Sequence, residues 1–182
     1  MEGLTDYWYV ESVAQLLRAA GTADLDERIA LIFANGAGKV VYYATILHAH
    51  KLKVAALLDS DAAGDHAAQQ DTLVHTLGNK KILRTKESYS GKVTKPEIED
   101  LLREILMLVA LDDFGWDVRA TAAVQPARPI VDIFTAEVSN FSKYKLAKAF
   151  LRWARTHEAS DLNADERSQW MALVAAINKA LK

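Results

Sequence analysis

Val54-Ala55-Ala56-Leu57-Leu58 is an apolar run that ends abruptly in Asp59-Ser60-Asp61, with Gly64 close behind. The run reads as a strand, and the stretch after Gly64 reads as a helix. Strand side chains alternate, so Asp59 and Asp61 leave the carboxyl end in the same direction. In open α/β sheets, ligands bind in the crevice beyond that end. Two carboxylates there make a hard oxygen site suited to Mg²⁺ or Mn²⁺. The pair equally suits a solvated turn in which one acid caps the next helix.

The flanking pattern repeats the theme. Arg28 to Ala34 is a nearly continuous apolar run, expected to be a strand buried on both faces. Asn35-Gly36-Ala37-Gly38-Lys39 then turns into a helix from about Val40 to His50. Its spacing is too short for a Walker A loop, and Val40 stands where Ser or Thr would bind Mg²⁺. A helix is expected from Gly64 to Leu77 and a further strand from Lys80 to Thr85. Strands alternating with helices in this order point to a parallel sheet.

Before the first strand, Glu2-Gly3-Leu4-Thr5-Asp6 stands ahead of an amphipathic helix reaching Leu17 or Ala20, capped by Thr5 or Asp6. A turn of this kind is expected to follow a strand that lies outside the sequence, as in a piece of a longer protein. Thr94-Lys95-Pro96-Glu97 opens another helix, with Glu97, Glu99 and Asp100 in its first turn. Acids there complement the helix dipole and are also available as metal ligands. From Lys80 to Lys95, six basic residues (Lys80, Lys81, Arg84, Lys86, Lys92 and Lys95) face one acid, Glu87. Beside an acidic crevice that excess suits a phosphodiester; it also suits an ordinary solvated loop.

The pattern changes near Asp112, where a soft domain boundary is expected. Helices are expected from Ile130 to Val138, Ser142 to His157, and Asn163 to Leu181. The second of these carries Lys143, Lys145, Lys148, Arg152 and Arg155 without an intervening acid. The chain of 182 residues, 51% hydrophobic, has enough apolar material for a real core. It has no cysteine, which excludes disulfides, thiol nucleophiles and thiolate metal sites. No stretch approaches a transmembrane length, and a cytoplasmic protein is expected.

Glu2-Gly3-x-x-Asp6, Leu58-Asp59-Ser60-Asp61-Ala62-Ala63-Gly64 and the acidic Pro96-Glu97-Ile98-Glu99-Asp100-Leu101 together resemble the Toprim domain of topoisomerases, primases, recombination proteins and certain nucleases. With Asp6, the acidic stretch and Lys143-x-x-x-Ala147, the set resembles the carboxyl-terminal region of the overcoming-lysogenization-defect nucleases. The resemblance covers about residues 2 to 150, and the acids are its specific part.

It implies an α/β fold: a Toprim-like parallel-sheet sandwich over residues 1–110, accompanied by a C-terminal helical domain over 111–182. It implies a metal-dependent DNA endonuclease in which two ions, Mg²⁺ or Mn²⁺, sit roughly 3.5–4 Å apart. Glu2, Asp6, Asp59, Asp61, Glu97 and Glu99 would supply the ligands. Glu2, Asp59, Asp61 and Lys143 would be catalytic, with Lys143 offsetting charge in the transition state. The basic residues between Lys80 and Lys95 would hold the DNA backbone. The implied partners are DNA, an amino-terminal ATPase domain that this sequence does not contain, and a second copy in a homodimer. Other Toprim chemistry, primase- or topoisomerase-like, and a non-catalytic metal-bound regulatory or assembly module remain open alternatives.

Overall fold

The computed structural model describes all residues 1–182. It is mostly helical and carries a small parallel sheet of two strands, β1 (Ala56–Leu58) and β2 (Ile82–Arg84). Ala56 pairs with Ile82, Leu57 with Leu83 and Leu58 with Arg84. A parallel pair needs a crossover. Here α3 (Ala62–Ala68) and α4 (Asp71–Leu77) supply it.

Alternation along these strands feeds two separate cores. Ala56, Leu58 and Ile82 enter a small cluster under α2 (Ala37–Ala49), α3 and α4. Leu57 and Leu83 enter the large cluster on the opposite face. The sheet is therefore covered on both sides, which is why its strands are apolar at every position up to Arg84.

The large cluster draws on α1 (Leu4–Ala19), α5 (Arg103–Phe114), α7 (Ile130–Glu137), α8 (Lys143–Ala154) and α9 (Ala164–Ala180). α6 (Arg119–Val124) adds Ala122 to it. Tyr9, Phe134, Phe150 and Trp170 are its largest fully buried side chains. Trp170 also donates its indole N–H to the Leu101 carbonyl, tying α9 to the acidic turn before α5.

Packing does not divide at residue 110. α1 and residues 98–110 share the large core with the C-terminal helices, while residues 34–82 hold the small core. An amphipathic helix goes where its apolar stripe is covered, whatever its place in the chain. No helix is long and apolar enough to cross a membrane.

Several elements depart from the sequence expectations. Arg28–Ala34 forms no ladder strand, and Ile32 and Phe33 remain exposed. Its backbone instead meets the chain start: the Met1 ammonium donates to Ile32 O, and Ala34 N–H donates to Met1 O, both at 3.0 Å. The helix expected over Gly64–Leu77 begins at Ala62 and breaks at Gln69-Gln70. The break lets Gly64 and Ala67 of α3 and Leu73 and Leu77 of α4 be buried by separately aimed segments. α1 starts two or three residues early, with Gly3 as its cap and Asp6 folded back onto the Gly3 N–H at 2.8 Å. The helix opened by Glu97 begins as a tight 3₁₀ turn, Ile98–Leu102, before α5.

Candidate metal centre

The end of β1 is stitched to two other segments. Ser60 N–H donates to Pro96 O and lies 3.0 Å from Thr85 Oγ1, while Lys86 N–H donates to Ser60 Oγ at 3.0 Å. Ser60 and Thr85 are almost fully buried. These bonds hold the turn after β1, the end of β2 and the Pro96–Glu97 corner together. Neither residue is visible as functional in the sequence; the one clue is that alternation turns Ser60 away from its acidic neighbours.

Glu2, far from β1 in the chain, is delivered to the same place. Gly36 N–H donates to the Glu2 carbonyl at 2.8 Å, and Glu2 Oε1 accepts the Asp59 N–H at 2.9 Å. The glycine-rich turn thus holds Glu2 in position, and the Gly36 N–H is already engaged. Gly36 sits at φ +121°, a conformation that favours glycine. Gly64 is required for a different reason. A Cβ there would lie 2.0 Å from the Asp59 carbonyl oxygen and 3.0 Å from Glu2 Oε1.

Asp59 is buried, and its Oδ1 accepts the Ile98 N–H at 2.8 Å. Burial, then Asp6, Glu99 and Glu2, holds its carboxyl well above the usual range, against the pull of Lys143. Asp61 caps α3 through the Gly64 N–H at 2.7 Å. Burial raises Glu2 as well, with Asp61 and Asp6 adding to the rise and the Asp59 N–H opposing it. Asp6 is buried and accepts from both Gly3 N–H and the Thr5 hydroxyl.

Lys143, the first residue of α8, brings a cation to this group. Its Nζ lies 2.8 Å from Glu97 Oε2 and 3.2 Å from Glu99 Oε1. Burial alone would lower its pKa, but Glu99 and Glu97 raise it, so the ammonium stays charged. Glu99 is fully buried, and neither of its carboxylate oxygens receives a hydrogen bond. Burial pushes it up to about 7, with Lys143 opposing and Asp6 and Glu97 reinforcing the shift. The Tyr9 hydroxyl is a second buried group without a partner, and burial followed by Glu99 and Asp6 opposes its ionisation. In the sequence Tyr9 reads only as a core residue of α1.

Glu2, Asp6, Asp59, Asp61, Glu97, Glu99 and Lys143 are therefore electrostatic neighbours, delivered by four separate stretches. No three of the acids are spaced to grip a single ion in these rotamers. One oxygen each of Glu2, Asp59 and Asp61 is committed to a backbone N–H, and Glu97 is committed to Lys143. The second oxygens of Glu2, Asp59 and Asp61 make no hydrogen bond within the chain. Carboxylates anchored through one oxygen are typical of oriented metal ligands. The donor set is all oxygen, and Glu99, held by the Lys143 ion pair alone, adds a buried acceptor, so hard divalent cations fit its chemistry.

Arg84 does not belong to a DNA surface. It is buried, its guanidinium donates twice to the Asp59 carbonyl, and it pairs with Asp65 at 2.8 Å. Its position on a two-sided strand turns it inward, where only a buried carbonyl and carboxylate satisfy its donors. Lys81 is half-buried. Lys80, Lys86, Lys92 and Lys95 are exposed, and Lys95 approaches Asp65 at 3.8 Å. On α8, Arg152 pairs with Asp113, while Lys145 and Lys148 face solvent.

The chain matches no protein-family model, and no curated protein and no solved structure is significantly similar to it.

Proposed function

We propose that this chain is a divalent-metal-dependent DNA endonuclease with a Toprim-like α/β sandwich. In this reading it is the nuclease part of an ATPase–nuclease of the overcoming-lysogenization-defect type, cytoplasmic and acting as a homodimer. The supporting observation is the gathering of Glu2, Asp59, Asp61, Glu97 and Glu99 around the carboxyl end of β1, with Lys143 among them. Acids drawn together from three stretches repel one another, a cost that a structure accepts where the acids have work to do.

Two Mg²⁺ or Mn²⁺ ions bound there would supply an activated water and stabilise the leaving oxygen of an in-line displacement. Glu2, Asp59 and Asp61 hold their uncommitted oxygens in place through their backbone hydrogen bonds. Asp6 secures the turn that carries Glu2, and Glu97 and Glu99 complete the acidic set. Lys143 carries a permanent positive charge beside these acids and offsets negative charge on a phosphate. Exposed Lys80, Lys86, Lys92 and Lys95 attract the DNA backbone without reading sequence.

A non-catalytic metal-bound assembly module is the second reading, favoured by the Lys143 ion pairs, which already neutralise part of the acidic set. Plasmid nicking separates the two. The expected result is cleavage with Mg²⁺ or Mn²⁺, none with EDTA, and a loss of about 100-fold or more in an Asp59→Asn, Asp61→Asn variant. Absence of cleavage with either metal, from a chain shown to be folded by circular dichroism, would overturn the nuclease reading.

A further inference from the structure

Tyr9 carries a hydroxyl that core packing does not need. It stands on α1 three residues after Asp6, so the two share a helix face. Helix side chains lean toward the amino terminus, which tips the Tyr9 ring back toward the Asp6 turn. α1 packs on α8, and the ring meets Phe150 of α8 at 5.4 Å between centroids. Phe150 lies two turns along α8 from Lys143, on the same face. One helix contact therefore carries Asp6 and Tyr9 on one side and Lys143 and Phe150 on the other. Glu99, fully buried, meets Lys143 from the turn before α5.

Donors and acceptors around Tyr9 are unequally matched. Burial, followed by Glu99 and Asp6, keeps the phenol protonated, so it remains a donor. It makes no hydrogen bond. Of its two carboxylate neighbours, Asp6 has both oxygens engaged, Oδ2 by the Gly3 N–H and Oδ1 by the Thr5 hydroxyl. Glu99 is approached by the Lys143 ammonium at Oε1, 3.2 Å away, and its Oε2 accepts no hydrogen bond. A buried donor and a buried acceptor left apart each cost free energy, and phenylalanine would pack at position 9 without that cost.

We propose that Tyr9 is the positioning residue for Glu99, its hydroxyl donating to Glu99 Oε2 when Oε1 turns from Lys143 to a divalent cation. This role rests on the metal-centre reading above and adds the group that orients Glu99 within it. A ligating carboxylate is oriented by a hydrogen bond to one of its oxygens. Glu2, Asp59 and Asp61 each receive such a bond from a backbone N–H. Glu99 has none, and Tyr9 is the buried side-chain donor beside it that remains unused.

The test is calorimetric titration of Mn²⁺ into the chain and into Tyr9→Phe, with urea unfolding of both in EDTA. Tyr9→Phe keeps the ring and removes only the hydroxyl. Its Mn²⁺ affinity should fall about tenfold or more, while its urea midpoint in EDTA equals or exceeds that of the unsubstituted chain. Mn²⁺ should also move the tyrosine absorption band of the unsubstituted chain to longer wavelength, as a phenol donating to a carboxylate does. Tyr9→Phe should lose that shift. Ser12→Ala removes the other unpartnered buried hydroxyl of α1 and should leave affinity and spectrum unchanged. Equal Mn²⁺ affinity with and without the Tyr9 hydroxyl, or a tyrosine band that Mn²⁺ does not move, would overturn the proposal and leave the metal centre standing. So would a fall in affinity matched by Ser12→Ala or accompanied by a lower urea midpoint, which would mark a general loss of packing. Absence of Mn²⁺ binding by the unsubstituted chain would overturn this role and the metal centre together.

Discussion

Glu99 is the side chain on which the acidic group turns. Its carboxyl is raised from 4.5 to about 7 by burial, so the folded chain holds that proton more tightly than the unfolded chain does. Its contribution to stability is full below pH about 4.5, falls as pH rises toward about 7, and is flat above. Urea unfolding without divalent ions should show that decline, and Glu99→Gln should flatten it. Lys143→Met leaves Glu99 buried without its cation. With the lysine itself partly exposed and screened, it should cost about 1–3 kcal/mol at pH 8 and much less at pH 5, where Glu99 takes a proton instead. Gly64→Ala should cost about 1–3 kcal/mol in the same measurement, because a Cβ cannot coexist with the Asp59 carbonyl in its present place. The acids themselves were legible in the sequence, since their spacing at strand and helix ends is a local pattern. Arg84 was not: among five lysines it reads as one more surface cation, and only the fold turns it onto Asp59 and Asp65.

At the level of elements, β1, β2 and the helices around them follow from local signals. Apolar runs, Gly64, the Asp61 cap and the Asn163–Glu166 capping box all lie within a few residues of the structures they specify. Features that depend on a distant neighbour are the ones that fail. Residues 28–34 have strand composition, yet a strand exists only when its edges are paired, and here Met1 and Glu2 meet only one end. The Gln69-Gln70 break and the Ser60–Thr85–Pro96 stitch likewise depend on partners remote in sequence. Arg84 works at this scale as a strut between β2, the β1 turn and α3. Arg84→Met should lower stability by about 2 kcal/mol in urea unfolding. A change in DNA affinity without a change in stability would contradict that role.

Across the whole molecule, the two cores meet at the sheet, and the acids collect at its carboxyl end. The helices expected as a separate C-terminal domain are instead half of the scaffold: α8 supplies Lys143, and α9 clamps the turn that carries Glu99. Composition cannot foretell this, because a helix's apolar stripe does not name its partner. Exposed lysines on the β2 side define the proposed DNA surface. Lys80, Lys86 and Lys92 replaced together by Ala should reduce the slope of log affinity against log salt by about 2–3 while leaving urea stability unchanged. Whether the acids form a metal centre is settled by calorimetric titration of Mn²⁺ into the chain and into an Asp59→Asn, Glu99→Gln variant. The expected result is two ions bound per chain, with binding lost in the variant. No Mn²⁺ binding, or equal binding by both, would contradict a metal centre at these residues.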